Sequence, residues 1–181
     1  MDAITLLRTD HKTIEKLFKE FEKAGPTAYK TKRHIVDRMI EQLSIHAAIE
    51  EQHFYPSVKE RVEEQDGSVL EALEEHHIVK WVLSELDGTD PTDERFDAKV
   101  TVLVELVRHH VEEEEQQMFP AVRNALGRKE LSDLGEAMAE AKEIAPLRPH
   151  PRSPNQPPAN LITGALAGTM DRIREAVTPT R

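Results

Sequence analysis

Two segments of the sequence repeat one arrangement of potential ligands. His46 is followed after four residues by Glu50 and after ten by Pro56, and His110 is followed likewise by Glu114 and Pro120, 64 residues further on. On a helix, residues four apart share a face, with Cβ atoms about 6 Å apart, so each pair could hold one cation jointly. One such pair is commonplace. Two in register are not, and together they point to a binuclear site within helices. The chain has no cysteine, which excludes disulfides, thiolate clusters, cysteine zinc sites and haem attachment. Any metal must be held by His, Asp and Glu, a donor set that suits iron, manganese or zinc.

The repeat is larger than these pairs. At an offset of 64, Val36, Met39, Ile40 and Leu43 fall on Val100, Leu103, Val104 and Val107; at 65, His11, Ile14, Leu17 and Phe18 fall on His76, Val79, Val82 and Leu83. The register selects His76 over His77, because only His76 carries the apolar series that follows His11. It selects His110 over His109 by distance to the proline. Glu112, Glu113, Glu115 and Glu51 then read as solvated charges. The candidate ligands are His11, His46, Glu50, His76, His110 and Glu114. His53, near the same face, could stand behind them or on an access path, although a partly exposed histidine is the plainer reading.

Depth along the helices agrees. With antiparallel neighbours and a rise of 1.5 Å per residue, all four histidines lie roughly 12–15 Å from one end of the bundle. A lone histidine on an apolar face is usually a hydrogen-bonded core residue. Six ionisable groups at one level would instead bury two carboxylates with no cation, which is costly.

The elements that must position these residues are helical. Asp2 can cap a first helix with a 3.6-residue stripe (Ile4, Leu7, Ile14, Leu17, Phe18, Phe21) that stops at Gly25-Pro26. A second runs from about Thr27 toward Pro56 and on to about Glu64, with Pro56 ending or kinking it. A third starts at Gly67-Ser68 and closes at Asp87-Gly88. A fourth runs from near Pro91 through Pro120 to Gly127. Two helical hairpins with short connections predict an all-α, up-down-up-down four-helix bundle over residues 1–128. An additional helix packed on the bundle is expected over 129–144. Six prolines make 145–159 a linker in extended, unpacked conformation. An amphipathic tail helix follows over 160–181 (Leu161, Ile162, Leu166, Met170, Ile173, Val177), where Gly164 and Gly168 permit close backbone contact. A helix folding back on the bundle is favoured there over dimerisation or partner docking.

A formal net charge of −10 argues against nucleic acid, which needs a basic stripe. Met1-Asp2 leads directly into an amphipathic pattern without the apolar region of a signal peptide, and no apolar run approaches membrane-spanning length. A cytoplasmic location is expected.

With Asp10-His11, His46…Glu50…Pro56, Glu75-His76 and His110…Glu114…Phe119-Pro120 in place, residues 3–125 resemble the hemerythrin-like HHE cation-binding domain. The resemblance implies a four-helix bundle with two non-haem iron ions, oxo- or hydroxo-bridged, with zinc or manganese less favoured. One iron would take His11 and His46, the other His76 and His110, and Glu50 and Glu114 would bridge. Oxygen-carrying members have a second histidine four residues after that of the third helix, where this chain has Lys80. Their last motif has an aspartate five residues after the histidine, where this chain has Glu114 at four and Glu115 at five. These departures imply reaction with, or sensing of, dioxygen, hydrogen peroxide or nitric oxide in oxidative or nitrosative stress, with catalase- or peroxidase-like peroxide removal as the candidate enzyme activity. The other reading is an iron-storing or iron-sensing module acting through a protein partner or self-contact at the 160–181 tail.

Overall fold

The computed structural model describes residues 1–154 and 159–177; the rest of the expected linker and tail (155–158, 178–181) and the side chains of Glu63, Ala159, Leu161, Ile162, Glu175 and Val177 lie outside the described residues. Asp2 caps α1 (Ala3–Lys23), its carboxylate accepting the Thr5 N–H at 2.9 Å. Next come α2 (Tyr29–Ile49), a wide π-helical turn over Glu50–Phe54, and α3 (Tyr55–Arg61). The second hairpin repeats the plan, with α4 (Asp66–Gly88), α5 (Phe96–Glu113), a π turn over Glu114–Met118 and α6 (Phe119–Ala125). α7 (Arg128–Lys142) and α8 (Ala159–Val177) complete an all-α fold with no strand among the described residues. Helices α1, α2, α4 and α5 form the up-down-up-down bundle; α1 pairs with α2, α4 with α5, and α2 packs on α4.

Pro56 and Pro120 do not break their helices. Each lacks an N–H, and its ring crowds the carbonyl four residues back. The wide turn just upstream absorbs this: the Glu50 carbonyl accepts the Tyr55 N–H, five residues on, and Glu114 accepts from Phe119 in the same way. One extra residue rotates everything beyond it by about 100°. Tyr55 and Phe119 are thereby buried in the bundle, each about 1% exposed.

The core consists of two apolar layers with a polar one between. On α1, Leu7 belongs to one layer and Ile14 to the other, with His11 between them; on α4, Leu73 and Val79 flank His76. Leu43 of α2 and Val107 of α5 lie in the second layer, while Ile49 of α2 and Met118 of the second π turn lie in the first. The offset apolar stripes therefore hold the titratable residues at one level.

α7 packs on α1, α2 and the first π turn. Gly135 permits this seat, since a Cβ there would overlap the Met1 carbonyl. The first part of the proline-rich segment is packed, unlike the expectation for it. Ala145 and Pro146 are buried, and Asp171 of α8 accepts the N–H groups of Leu147 and Arg148 at 3.0 Å each. A buried carboxylate on the returning helix satisfies the backbone that a proline-rich strand leaves unpaired. Gly168 lets α8 lie directly against the Ile144 and Ala145 backbone, and Gly164 abuts the Gln52 side chain. Leu166, Met170 and Ile173 remain exposed on the outer face of α8.

Candidate metal centre

The polar layer brings together all six residues singled out by the repeat. His11, His46, Glu50, His76, His110 and Glu114 are each at most 5% exposed. Their possible ligand atoms fall into two groups, each within 4.8 Å: His11, His46, Glu50 and Glu114, and then Glu50, His76 and His110. Glu50 Oε2 lies 3.2 Å from His46 Nε2 and 3.4 Å from His76 Nε2. Glu114 Oε2 lies 3.3 Å from His11 Nε2 and 3.7 Å from His110 Nε2. Each carboxylate thus touches one histidine of each half. His77 and His109 are outside the cluster and exposed; His77 accepts the Trp81 indole N–H at 3.2 Å.

All four imidazoles turn Nε2 inward, and a carboxylate faces each Nδ1. Glu115 meets His11 at 2.9 Å, Glu51 meets His76 at 3.0 Å, Glu75 meets His110 at 2.6 Å, and Asp10 stands 3.6 Å from His46. At the three close contacts such a partner fixes the tautomer with Nδ1 protonated and leaves the Nε2 lone pair free for a cation, whereas His46 Nδ1 and Asp10 Oδ2 have no hydrogen-bond partner among the described residues. Glu51 is therefore not a solvated charge, and Glu115, its side chain 32% exposed, is shared between His11 and solvent. Glu51 is 3% exposed and also binds Lys80 Nζ through both oxygens, at 2.6 and 2.7 Å. The reading of these two failed because a residue beside a ligand points at the neighbouring helix, and that neighbour offers an imidazole. The four carboxylates obey the repeat: Asp10 pairs with Glu75 at offset 65, and Glu51 with Glu115 at offset 64.

Tyr55 also joins the cluster, and the repeat alone did not mark it. Its hydroxyl donates to Glu114 Oε1 at 3.0 Å and lies 3.3 Å from His76 Nε2 and 3.4 Å from His110 Nε2. The equivalent Phe119 stacks on the His11 ring, with centroids 5.7 Å apart. The usable signal was an aromatic residue directly before the proline in both copies. His53 is placed elsewhere: it lines a cavity with Ala137, Ala141 and Gly164, and no hydrogen bond among the described residues ties its ring to the cluster.

The electrostatics describe a site built for positive charge. Burial, then the charge of Glu114, pushes the Glu50 carboxyl well above its usual range. Burial raises Glu114 too, but His110, His11 and His46 outweigh it and hold that carboxyl below the usual range. Burial pushes His46 down to about 4. Several inward atoms have no hydrogen-bond partner among the described residues: Nε2 of His11 and His46, both Glu50 oxygens and Glu114 Oε2. Buried polar atoms are ordinarily satisfied, so these N and O donors, converging on one place, fit a borderline or hard metal cation.

The fold and this cluster define a cation-binding helical bundle, and the chain belongs to the hemerythrin HHE cation-binding domain family, whose sequence profile matches residues 2–122. An uncharacterised hemerythrin-like protein of Schizosaccharomyces pombe is 25% identical over 167 residues, covering 92% of this chain and 81% of that one. A DNA nickase of Nostoc sp. is 26% identical over 142 residues, which cover 78% of this chain but only 39% of the nickase. Among solved structures, a hemerythrin HHE cation-binding domain-containing protein from Mycobacterium kansasii is similar with a TM-score of 0.68 and 26% identity, over 79% of this chain and 86% of that one. No helix among the described residues is long and apolar enough to cross a membrane.

Proposed function

We propose that the buried cluster holds two non-haem iron ions and that the protein binds or reacts with dioxygen, peroxide or nitric oxide there. The observation that carries this reading is the set of unpartnered inward atoms on His11, His46, Glu50 and Glu114. His11 and His46 would hold one ion and His76 and His110 the other. Glu50 and Glu114 would span both, since each already contacts a histidine of each half. Bound iron supplies one-electron redox chemistry toward these small molecules.

The chain's own residues do the rest. Glu115, Asp10, Glu51 and Glu75 orient the imidazoles. The two apolar layers exclude bulk water, and Tyr55 can hold a proton at Glu114 Oε1. Lys80 stands where oxygen carriers place a histidine, and its charge is committed to Glu51. That half is left one imidazole short, which favours peroxide removal or sensing over reversible carriage. The proposal places this chemistry in the cytoplasm.

The test is the ultraviolet–visible spectrum of iron-loaded protein before and after peroxide, azide and nitric oxide, with peroxide consumption followed in parallel. New absorption bands and turnover support the reading; an iron-loaded protein inert to all three overturns it.

A second reading, an iron-storing or iron-sensing module acting through a partner, is favoured by one observation. Asn160 of α8 donates to the Glu51 carbonyl at 3.2 Å and accepts from Gln52 at 3.3 Å, while Leu166, Met170 and Ile173 stay exposed. It requires α8 to change its protease sensitivity between iron-free and iron-loaded protein. Nucleic acid is kept out of the proposal by the charge of −10. The nickase's activity belongs to a protein of which this chain spans 39%. Tight duplex binding at physiological salt would contradict that exclusion.

A further inference from the structure

Two buried polar side chains outside the metal cluster are left incomplete. Ser44 of α2 is 6% exposed, and its hydroxyl has no hydrogen-bond partner among the described residues. Asn160 of α8 is 4% exposed, and its Oδ1 has none either. The orientation of the Asn160 amide is fixed, because Nδ2 donates to the Glu51 carbonyl at 3.2 Å. Oδ1 is therefore an acceptor left open. Buried polar atoms are ordinarily satisfied, and these two come from elements more than a hundred residues apart.

Both residues line one cavity of about 40 Å³, together with Lys80 and Glu51. The proline-rich segment supplies much of its wall, fastened by Arg148 on Asp87 and by His150 on Asp171 at 3.2 Å. Lys80 Nζ carries three N–H donors and gives two of them to the Glu51 oxygens, at 2.6 and 2.7 Å. The volume exceeds the roughly 10–15 Å³ that one water requires, which leaves room for a molecule of two oxygen atoms.

The polar atoms restrict the occupant. It must donate to Asn160 Oδ1 and accept from Lys80 Nζ or the Ser44 hydroxyl. Dioxygen and nitric oxide carry no hydrogen and cannot donate, whereas hydrogen peroxide donates and accepts at both of its oxygens. The position matters as well. Glu51, in the cavity wall, meets His76 Nδ1 at 3.0 Å, so an occupant lies one side chain from the half of the centre that is an imidazole short.

We infer that Ser44, Lys80 and Asn160 form a subsite that binds hydrogen peroxide ahead of the centre and selects it over dioxygen and nitric oxide. This deepens the peroxide reading of the buried cluster and rests on it. Lys80 then has two tasks, holding Glu51 and donating to the peroxide. The packed start of the proline-rich segment closes the subsite from outside.

The test uses the full chain with Ser44→Ala, which removes one contact, and Ser44→Val, which fills the cavity; Thr169→Ala on exposed α8 surface is the control. Crystals of the zinc-loaded parent and Ser44→Val, in which peroxide is not consumed, are soaked in hydrogen peroxide. Peroxide consumption and nitric oxide association are measured on the iron-loaded proteins. The expected result is density for two bonded oxygen atoms beside Ser44 and Asn160 in the parent and none in Ser44→Val. KM for peroxide should rise about tenfold in both Ser44 variants with kcat held, the signature of lost binding before the chemical step. Iron content and nitric oxide association should match the parent in all variants, and Thr169→Ala should match it throughout. A lone water in the soaked parent, or a KM unchanged in both Ser44 variants, overturns the inference. If the iron-loaded parent consumes no peroxide, the peroxide reading of the centre fails instead, and two-oxygen density lost in Ser44→Val still supports the subsite.

Discussion

The hydroxyl of Tyr55 donates to Glu114 at 3.0 Å, joining the wide turn of one hairpin to the carboxylate that opens the wide turn of the other. The repeat puts Phe119 where a second tyrosine would stand, so the two halves of the site differ in one hydroxyl. Tyr55→Phe should make them alike. Removing a donor from a buried carboxylate costs about 1–3 kcal/mol, so urea unfolding of the metal-free variant should show a loss of that size. Phe119→Tyr, which places a hydroxyl against the His11 ring, should not recover it in the double variant.

His76 and His77 are adjacent but face different surroundings, one buried in the cluster and the other paired with Trp81. His76→Ala should lose bound metal, and His77→Ala should retain it, as measured by elemental analysis after identical loading. Equal metal content in the two variants would contradict the assignment of His76.

Glu51 orients His76 and neutralises Lys80. Its replacement by Gln should weaken metal binding about 10–100-fold, the usual effect of losing a carboxylate behind a ligating histidine. Competition with a chelator of known affinity measures this. An unchanged affinity would mean that the Glu51–Lys80 pair serves packing alone.

The sequence made the bundle legible because each main helix carries a stripe of period 3.6, and sliding the two hairpins past each other aligned both stripes and ligands. That register separated His76 from His77 and His110 from His109 with no structural information. It also held Asp10 with Glu75 and Glu51 with Glu115, yet periodicity alone gives no reason to turn Glu51 or Glu115 inward. Only the neighbouring helix, with an Nδ1 facing it, supplies that reason. Tyr55 went unmarked for a single cause. A π turn lasts one turn and leaves no periodic trace, but it rotates the chain beyond Glu50, burying Tyr55 against Glu114 and setting His53 among residues of α7 and α8. The packed start of the proline-rich segment was hidden because its partner, Asp171, lies over twenty residues further along.

His46 makes one part of the metal-free chain's stability sensitive to acid. Burial holds His46 at about 4 in the folded state against 6.5 for a free imidazole. Between these values the unfolded chain takes up a proton that folded His46 refuses, so the His46 contribution to stability falls as pH drops from about 6.5 and levels off near 4. At about 1.4 kcal/mol per unit, the loss is roughly 3 kcal/mol. His76, also lowered by burial, acts in the same direction. His110 and Glu50 oppose them: burial lowers His110, but the charges of Glu114 and Glu75 raise it further, and burial and the charge of Glu114 raise Glu50, so both contributions are present in acid and lost as pH rises through the folded values. Relative to the parent chain, the urea midpoint of His46→Gln should rise steadily as pH falls from about 6.5 to about 4, because the variant lacks this one loss; a difference that stays constant with pH would contradict it.

The central claim is that the six residues between the two apolar layers form one binuclear centre. Its most direct test is metal content per chain after anaerobic loading with iron(II) and removal of loosely bound ions, comparing the parent with Glu50→Gln. Two tightly held ions are expected in the parent and a joint loss in the variant, because Glu50 contacts a histidine of each half. Fewer than one ion per chain in the parent, or a variant that keeps the full complement, would contradict it.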